Sequence, residues 1–218
     1  MGARTRALGL CCCASVLIGC SLLPIRGSGN VLTLEKGLSG FNRVDAGWGF
    51  GLDVRQGESF AVTIQIDDNL ERYLEAEVRG GVLHLGLKNI ANFGTGSLRA
   101  DVTMPELVGV NLSGGVTATF SGFGSSRDFA GDFSGASNAT FHGSAGDLAL
   151  GVGGGADVDM SDFVVEDARI EASGGADVVV NVSGRLNVEA TGGANVYYLG
   201  NPTLGDIESS GGGSVKRR

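Results

Sequence analysis

The body of this chain has no cysteine. All four, Cys11, Cys12, Cys13 and Cys20, lie in the first twenty of 218 residues, so no disulfide framework braces the rest. Histidine is almost as scarce. His84 and His142 lie in different strand-like stretches and read as strand-surface residues, which leaves no Ser/His/Asp or Cys/His catalytic set. Residues 128–168 hold no Lys or Arg, so the base that polysaccharide lyase chemistry usually uses is missing from the most acidic stretch. Past the N-terminus no apolar run approaches the roughly 20 residues that cross a bilayer. No glycine run leads into a helix and a lysine, which excludes a phosphate-binding loop. Helical periodicity is nearly absent too. "DDNLERYLEAEV" (67–78) is the one candidate for a short helical turn, beginning near Asp68.

The N-terminus carries a signal. Arg4 and Arg6 precede an apolar run from Ala7 to Ile18, the charged and apolar regions of a secretory signal peptide. "LIGC" (17–20) resembles the bacterial lipobox. That resemblance implies cleavage before Cys20 and lipid on its sulfur and amine. Hydrocarbon chains on one terminus are a firm anchor, since each buried CH₂ contributes about 0.8 kcal/mol. Ser21, where an aspartate signals inner-membrane retention, points to an outer-membrane lipoprotein facing the periplasm or the cell surface. The expected organisation is a signal peptide over 1–19, a tether over 20–36 containing Pro24, Gly27, Ser28 and Gly29, and a single domain over 37–218. Losing Arg4 and Arg6 reduces 16 basic residues to 14 against 24 acidic, a net charge of −10. Such a surface repels nucleic acid, whose binding rests on phosphate neutralisation.

The first part of the domain alternates apolar and polar residues in "FAVTIQID" (60–67), "GVLHLGLK" (81–88) and "LRADVTMP" (98–105). A period of two predicts half-buried strands. "VRGGVLHL" reads as a hairpin turning at Gly80-Gly81.

From about residue 106 glycine takes over. The chain has 39, far above the usual share of about 7%. Six segments align without gaps on Gly114, Gly135, Gly154, Gly174, Gly192 and Gly211, in steps of 18 to 21 residues. A repeat of that length marks a solenoid. Apolar columns stand two and four positions before the anchor and four and six after it, as in Leu150, Val152, Val158 and Met160. Spacing by two is the strand period. Between the columns lies turn chemistry, where glycines supply positive φ and Asp or Asn bonds the backbone. Each repeat is then strand, turn, strand and return. Stacking the repeats about 4.8 Å apart pairs equivalent strands and buries one apolar column. The expected fold is all-β, a right-handed parallel β-helix of about 20-residue coils, capped or extended by the preceding strands and hairpin. Ala136 replaces the second corner glycine and predicts a looser corner. Lys216, Arg217 and Arg218 end the last copy, reading as a polar cap against end-to-end stacking.

"GFNRVDAGWGFGLDVRQGE" (40–58), "DVTMPELVGVNLSGG" (101–115) and "ATGGANVYYLGNP" (190–202) resemble the auto-transporter adhesin head GIN family. The resemblance covers nearly all of the mature chain. It implies a β-helical, lipid-anchored or secreted envelope protein, and it supplies no catalytic residues.

One column carries candidate chemistry. Three after each anchor come Thr117, Asn138, Asp157, Asp177, Asn195 and Ser214. As a turn ladder, each short side chain accepts from nearby backbone N–H groups. As a cation site, Asn138, Asp157, Asp177 and Asn195 form a ligand ladder, and the two carboxylates, roughly 5 Å apart across coils, raise one pKa or recruit Ca²⁺. Asp157, Asp159, Asp162 and Asp177 are also the one dense cluster on which a polysaccharide lyase or hydrolase would rest. Against that alternative, the residues favour a non-catalytic binding or structural module that needs no cofactor. Its partners would be glycans or other envelope proteins, with Trp48, Phe50, Phe93, Tyr197 and Tyr198 as possible stacking residues.

Overall fold

The glycine corners set the architecture. In the computed structural model, which describes residues 24–90 and 92–218, Gly114, Gly135, Gly154, Gly174, Gly192 and Gly211 all have φ between 65° and 77°. A Cβ is crowded in that region by its own backbone. Stacking tightens the restriction, because a Cβ on Gly174 would meet the Gly154 carbonyl oxygen at 2.7 Å and one on Gly154 would meet that of Gly135 at 2.8 Å. The next residue's amide closes each corner on the coil before it. Gly155 donates to Gly135 O at 2.8 Å, Gly175 to Gly154 O at 2.7 Å and Gly193 to Gly174 O at 2.6 Å. Ala136 donates to Gly114 O at 2.8 Å, so its corner is as tight as the others. The second corner glycine is not in the left-handed region at residues 115, 155, 175 and 193, and a Cβ is accommodated there.

Seven strands precede this array: β1 (Val31–Lys36), β2 (Arg43–Ala46), β3 (Gly51–Gln56), β4 (Ala61–Asp67), β5 (Leu74–Arg79), β6 (Val82–Leu87) and β7 (Leu98–Met104). The alternating stretches take their expected places, with Val62, Ile64 and Ile66 of β4 and Leu83, Leu85 and Leu87 of β6 turned into the core. β5 and β6 form the hairpin, and Gly80 and Gly81 have φ of 58° and 77°. Of the helical stretch, only Glu71–Tyr73 winds, as one 3₁₀ turn, and the chain then straightens into β5. Antiparallel pairing of residues 74–79 with β6 outweighs the weak helical pattern.

The segment read as tether is partly built into the domain. β1 pairs antiparallel with β4, and the buried Asp67 carboxylate accepts from the amides of Gly29 at 2.8 Å and Ser97 at 2.6 Å. Asp68 accepts from the Ser28 hydroxyl and from Asn30 Nδ2, while Asn69 Nδ2 donates to Arg26 O. Three consecutive polar residues thus fasten residues 26–30 to the end of the molecule.

The repeats follow. β8 (Gly109–Leu112), β10 (Phe129–Phe133), β12 (Leu148–Val152), β14 (Ala168–Ala172), β16 (Arg185–Ala190) and β18 (Thr203–Ser209) pair in parallel, each with the next in that series. β9 (Thr117–Gly124), β11 (Asn138–Ser144), β13 (Asp157–Val165), β15 (Asp177–Val182), β17 (Asn195–Gly200) and β19 (Ser214–Arg217) do the same in a second sheet. The chain winds from one sheet to the other through each glycine corner, a parallel β-solenoid. Its interior is filled by the predicted columns, with Val158, Met160, Val178, Val180 and Val196 fully buried. Phe120 and Phe141 stack face to face on adjacent coils, ring centroids 4.5 Å apart.

The stacking order differs from the chain order at one place. β2 pairs with both β6 and β8, and β3 with both β7 and β9. The first coil in sequence therefore lies between the β6/β7 coil and the repeats. β5 and β4 then close that end by antiparallel pairing to β6 and β7.

Candidate functional site

The polar column is continuous. Thr117, Asn138, Asp157, Asp177, Asn195 and Ser214 are register partners one to the next at the starts of β9, β11, β13, β15, β17 and β19. The corner sets this phase: each residue is the first of its strand and faces outward, beside a buried neighbour such as Val158 or Val178. The side chains bond along the column more than to their own turns. Ser214 Oγ donates to Asn195 Oδ1 at 2.8 Å, and Asn195 Nδ2 donates to Asp177 Oδ1 at 2.9 Å. Burial lifts the Asp157 carboxyl above its ordinary value, and the negative charges of Asp177 and Asp159 add to the rise. Burial works upward on Asp159 as well, but hydrogen bonds from the Ser161 side chain and backbone, with the charges of Arg218 and His142, bring it below its ordinary value. Among the described residues no three His, Asp or Glu side chains converge in a metal-binding group. Of the acidic cluster, Asp162 turns to His142 Nδ1 at 3.5 Å. Cys20 lies outside the described residues.

A second region was hidden in the sequence. Trp48 has φ 62°, the left-handed value that the later coils give to glycine. It is also the corner that precedes Gly114, whose Cβ would lie 3.4 Å from the Trp48 amide nitrogen. Trp48 is 40% exposed. Phe50, by contrast, is fully buried, and Phe93 and Tyr198 pack against the core. Beside Trp48, a row of outward side chains crosses neighbouring strands in register, from Asp45 on β2 to His84 on β6 and Glu77 on β5. Asp45 Oδ2 and His84 Nδ1 are 2.8 Å apart, and Arg79 bridges Glu75 and Glu77 at 3.1 Å each. The indole lies over Gly86, where a Cβ would stand 3.5 Å from Trp48 Cδ1. Trp48, Asp45, His84, Glu75 and Arg79 line an open bowl of about 410 Å³. Sequence reasoning named Trp48 only as one aromatic among several. "AGWGF" (46–50) is equivalent to "LSGGV" (112–116), but β4 to β7 are inserted between the β2/β3 coil and the β8/β9 coil and hide the period.

All the chemistry-bearing groups just described lie on the outside of a coil whose interior is packed, which makes this a β-solenoid with its polar chemistry on the outer faces. The chain belongs to the family described as "Putative auto-transporter adhesin, head GIN domain", whose model matches residues 40–202. Solved structures share the fold. A Bacteroides fragilis "putative adhesin" is 18% identical, with 89% of this chain and 100% of that chain covered and a TM-score of 0.62. A Parabacteroides distasonis "putative lipid binding protein" is 18% identical, with 90% and 100% covered and a TM-score of 0.58. A Parabacteroides merdae "putative adhesin" is 15% identical, with 89% and 98% covered and a TM-score of 0.53. No curated protein matches the chain.

Proposed function

We propose that the protein is a non-catalytic envelope module, anchored through lipid on Cys20 to the outer membrane, that contacts glycans or other envelope proteins with its outer faces. The observation that carries this reading is the distribution of its polar groups. They form ladders and paired charges along open sheet faces over a filled interior, an arrangement suited to holding an extended partner by many shallow contacts. Membership in an adhesin family supports the same reading, as do the signal-like N-terminus and the acidic mature chain. Among the described residues no helix is long and apolar enough to cross a membrane, so anchorage would fall to the acylated terminus.

Two measurements test it. Metabolic labelling with a fatty acid should mark the wild-type chain in the outer-membrane fraction and lose the label in Cys20→Ala; label retained in that variant rejects the anchor. Beads coated with the mature chain should adhere to glycan-coated or cell-envelope surfaces above an uncoated control. Release of reducing or unsaturated sugar ends from those glycans would overturn the non-catalytic assignment.

A further inference from the structure

We infer that the bowl around Trp48 is a binding site for a neutral carbohydrate, with one sugar ring seated on the exposed indole and its hydroxyls meeting Asp45, His84, Glu75 and Arg79. The inference rests on the glycan-contact reading above and gives it a location. The first ground is conformational. A tryptophan holds a left-handed corner that stacked coils elsewhere fill with glycine, and a bulky side chain there carries strain that the surroundings must sustain. Packing offsets only part of that strain, since Trp48 remains 40% exposed. The ring nonetheless stands beside Gly86, near enough that a Cβ there would be 3.5 Å from Trp48 Cδ1.

The second ground is the match of surfaces. A pyranose has a C–H face that is apolar and an edge of hydroxyls that each donate and accept. The indole offers a flat apolar face and an N–H donor. The rim offers carboxylates and a guanidinium already held by one another, Asp45 by His84 at 2.8 Å and Glu75 by Arg79 at 3.1 Å. Such groups keep spare acceptor and donor positions in fixed directions, which suits vicinal hydroxyls. Because both carboxylates are engaged, a neutral polyol is favoured over a cation held between tryptophan and free acid groups. The bowl's volume of about 410 Å³ lies within the usual range of small-molecule sites, roughly 300–1,000 Å³.

Trp48 is the chain's one tryptophan, so its fluorescence reports the site directly. The mature protein is titrated with methyl glycosides of the common hexoses and N-acetylhexosamines, their short oligomers, and choline as the cationic rival. The expected result is a saturable change with at least one neutral glycoside at millimolar concentration or below, and none with choline. Asp45→Asn should weaken that response about tenfold. Trp48→Gly, read by calorimetry, should abolish binding while leaving the melting temperature unchanged or higher, because glycine accepts the left-handed corner. The site is overturned if no glycoside saturates by about 10 mM, if choline alone saturates, or if Trp48→Gly binds as wild type. Coated beads separate this failure from that of the broader reading. Equal adhesion by wild type and Trp48→Gly removes the site and leaves the contact function standing, whereas no adhesion by wild type removes both.

Discussion

At Gly174 the backbone has φ 75°, and an added Cβ would meet the Gly154 carbonyl oxygen at 2.7 Å; at Gly175 the nearest atom would be 3.7 Å away. The two residues look alike in the sequence and face different constraints. Gly174→Ala should destabilise the fold by about 1–3 kcal/mol, through a strained φ and a clash that only backbone movement relieves. Gly175→Ala should be neutral or stabilise by about 0.5 kcal/mol, since alanine narrows the unfolded ensemble. Urea midpoints of the two variants check this, and equal losses would show that both positions need glycine. Ala136, with its amide on Gly114 O, already tolerates a Cβ at the second place. Sequence alone shows that glycine recurs; the backbone angles distinguish the glycine required by φ from the one required by nothing.

Strands in register turn a single residue choice into a column. In the column through Asp157 and Asp177, the raised pKa of Asp157 gives a sign for stability against pH. A carboxyl whose pKa is higher folded than unfolded binds its proton more tightly in the native state, so its charge costs stability above the folded pKa. That cost is relieved as pH falls through the folded pKa toward the ordinary carboxylate value near 4. Asp157→Asn should therefore raise the melting temperature at pH 7, and the advantage should shrink as the pH approaches about 4. Asp159 is shifted the other way, so the comparison must use the single variant. A melting temperature lowered at pH 7 would mean that Asp157 has a stabilising partner. This column was legible from the sequence because strand phase is fixed by the corner three residues earlier. The chain of bonds from Ser214 through Asn195 to Asp177 was not, because the sequence gives the register but leaves side-chain direction open.

The two ends of the solenoid are finished differently. One is closed by antiparallel β4 and β5, with β1 outside β4. At the other, β18 and β19 are the outermost strands among the described residues, and Leu204 and Ile207 are 48% and 37% exposed. Both belong to columns that are buried in the coil before, at Leu186 and Val188. Lys216 and Arg217 occupy β19 where β17 has Tyr197 and Tyr198. Charge on an edge strand discourages pairing with another copy. Replacing both, as Lys216→Thr with Arg217→Val, should let the mature chain self-associate, read as a rise in sedimentation coefficient with concentration. A variant that stays monomeric would show that the two charges do not guard this end.

The sequence by itself determined the coil length, the six corners, the inward columns and the register of the polar ladder. All of these follow from local φ preference and from a period repeated often enough to see. Tertiary structure alone decided that β2 and β3 slot between β6/β7 and the repeats, that Asp67–Asn69 fasten residues 26–30, and that Trp48 meets the row from Asp45 to Glu77. Those contacts bring together residues tens of positions apart, and they depend on strand pairing, whose backbone groups every residue carries alike, and on side-chain bonds that form only once the strands are in place.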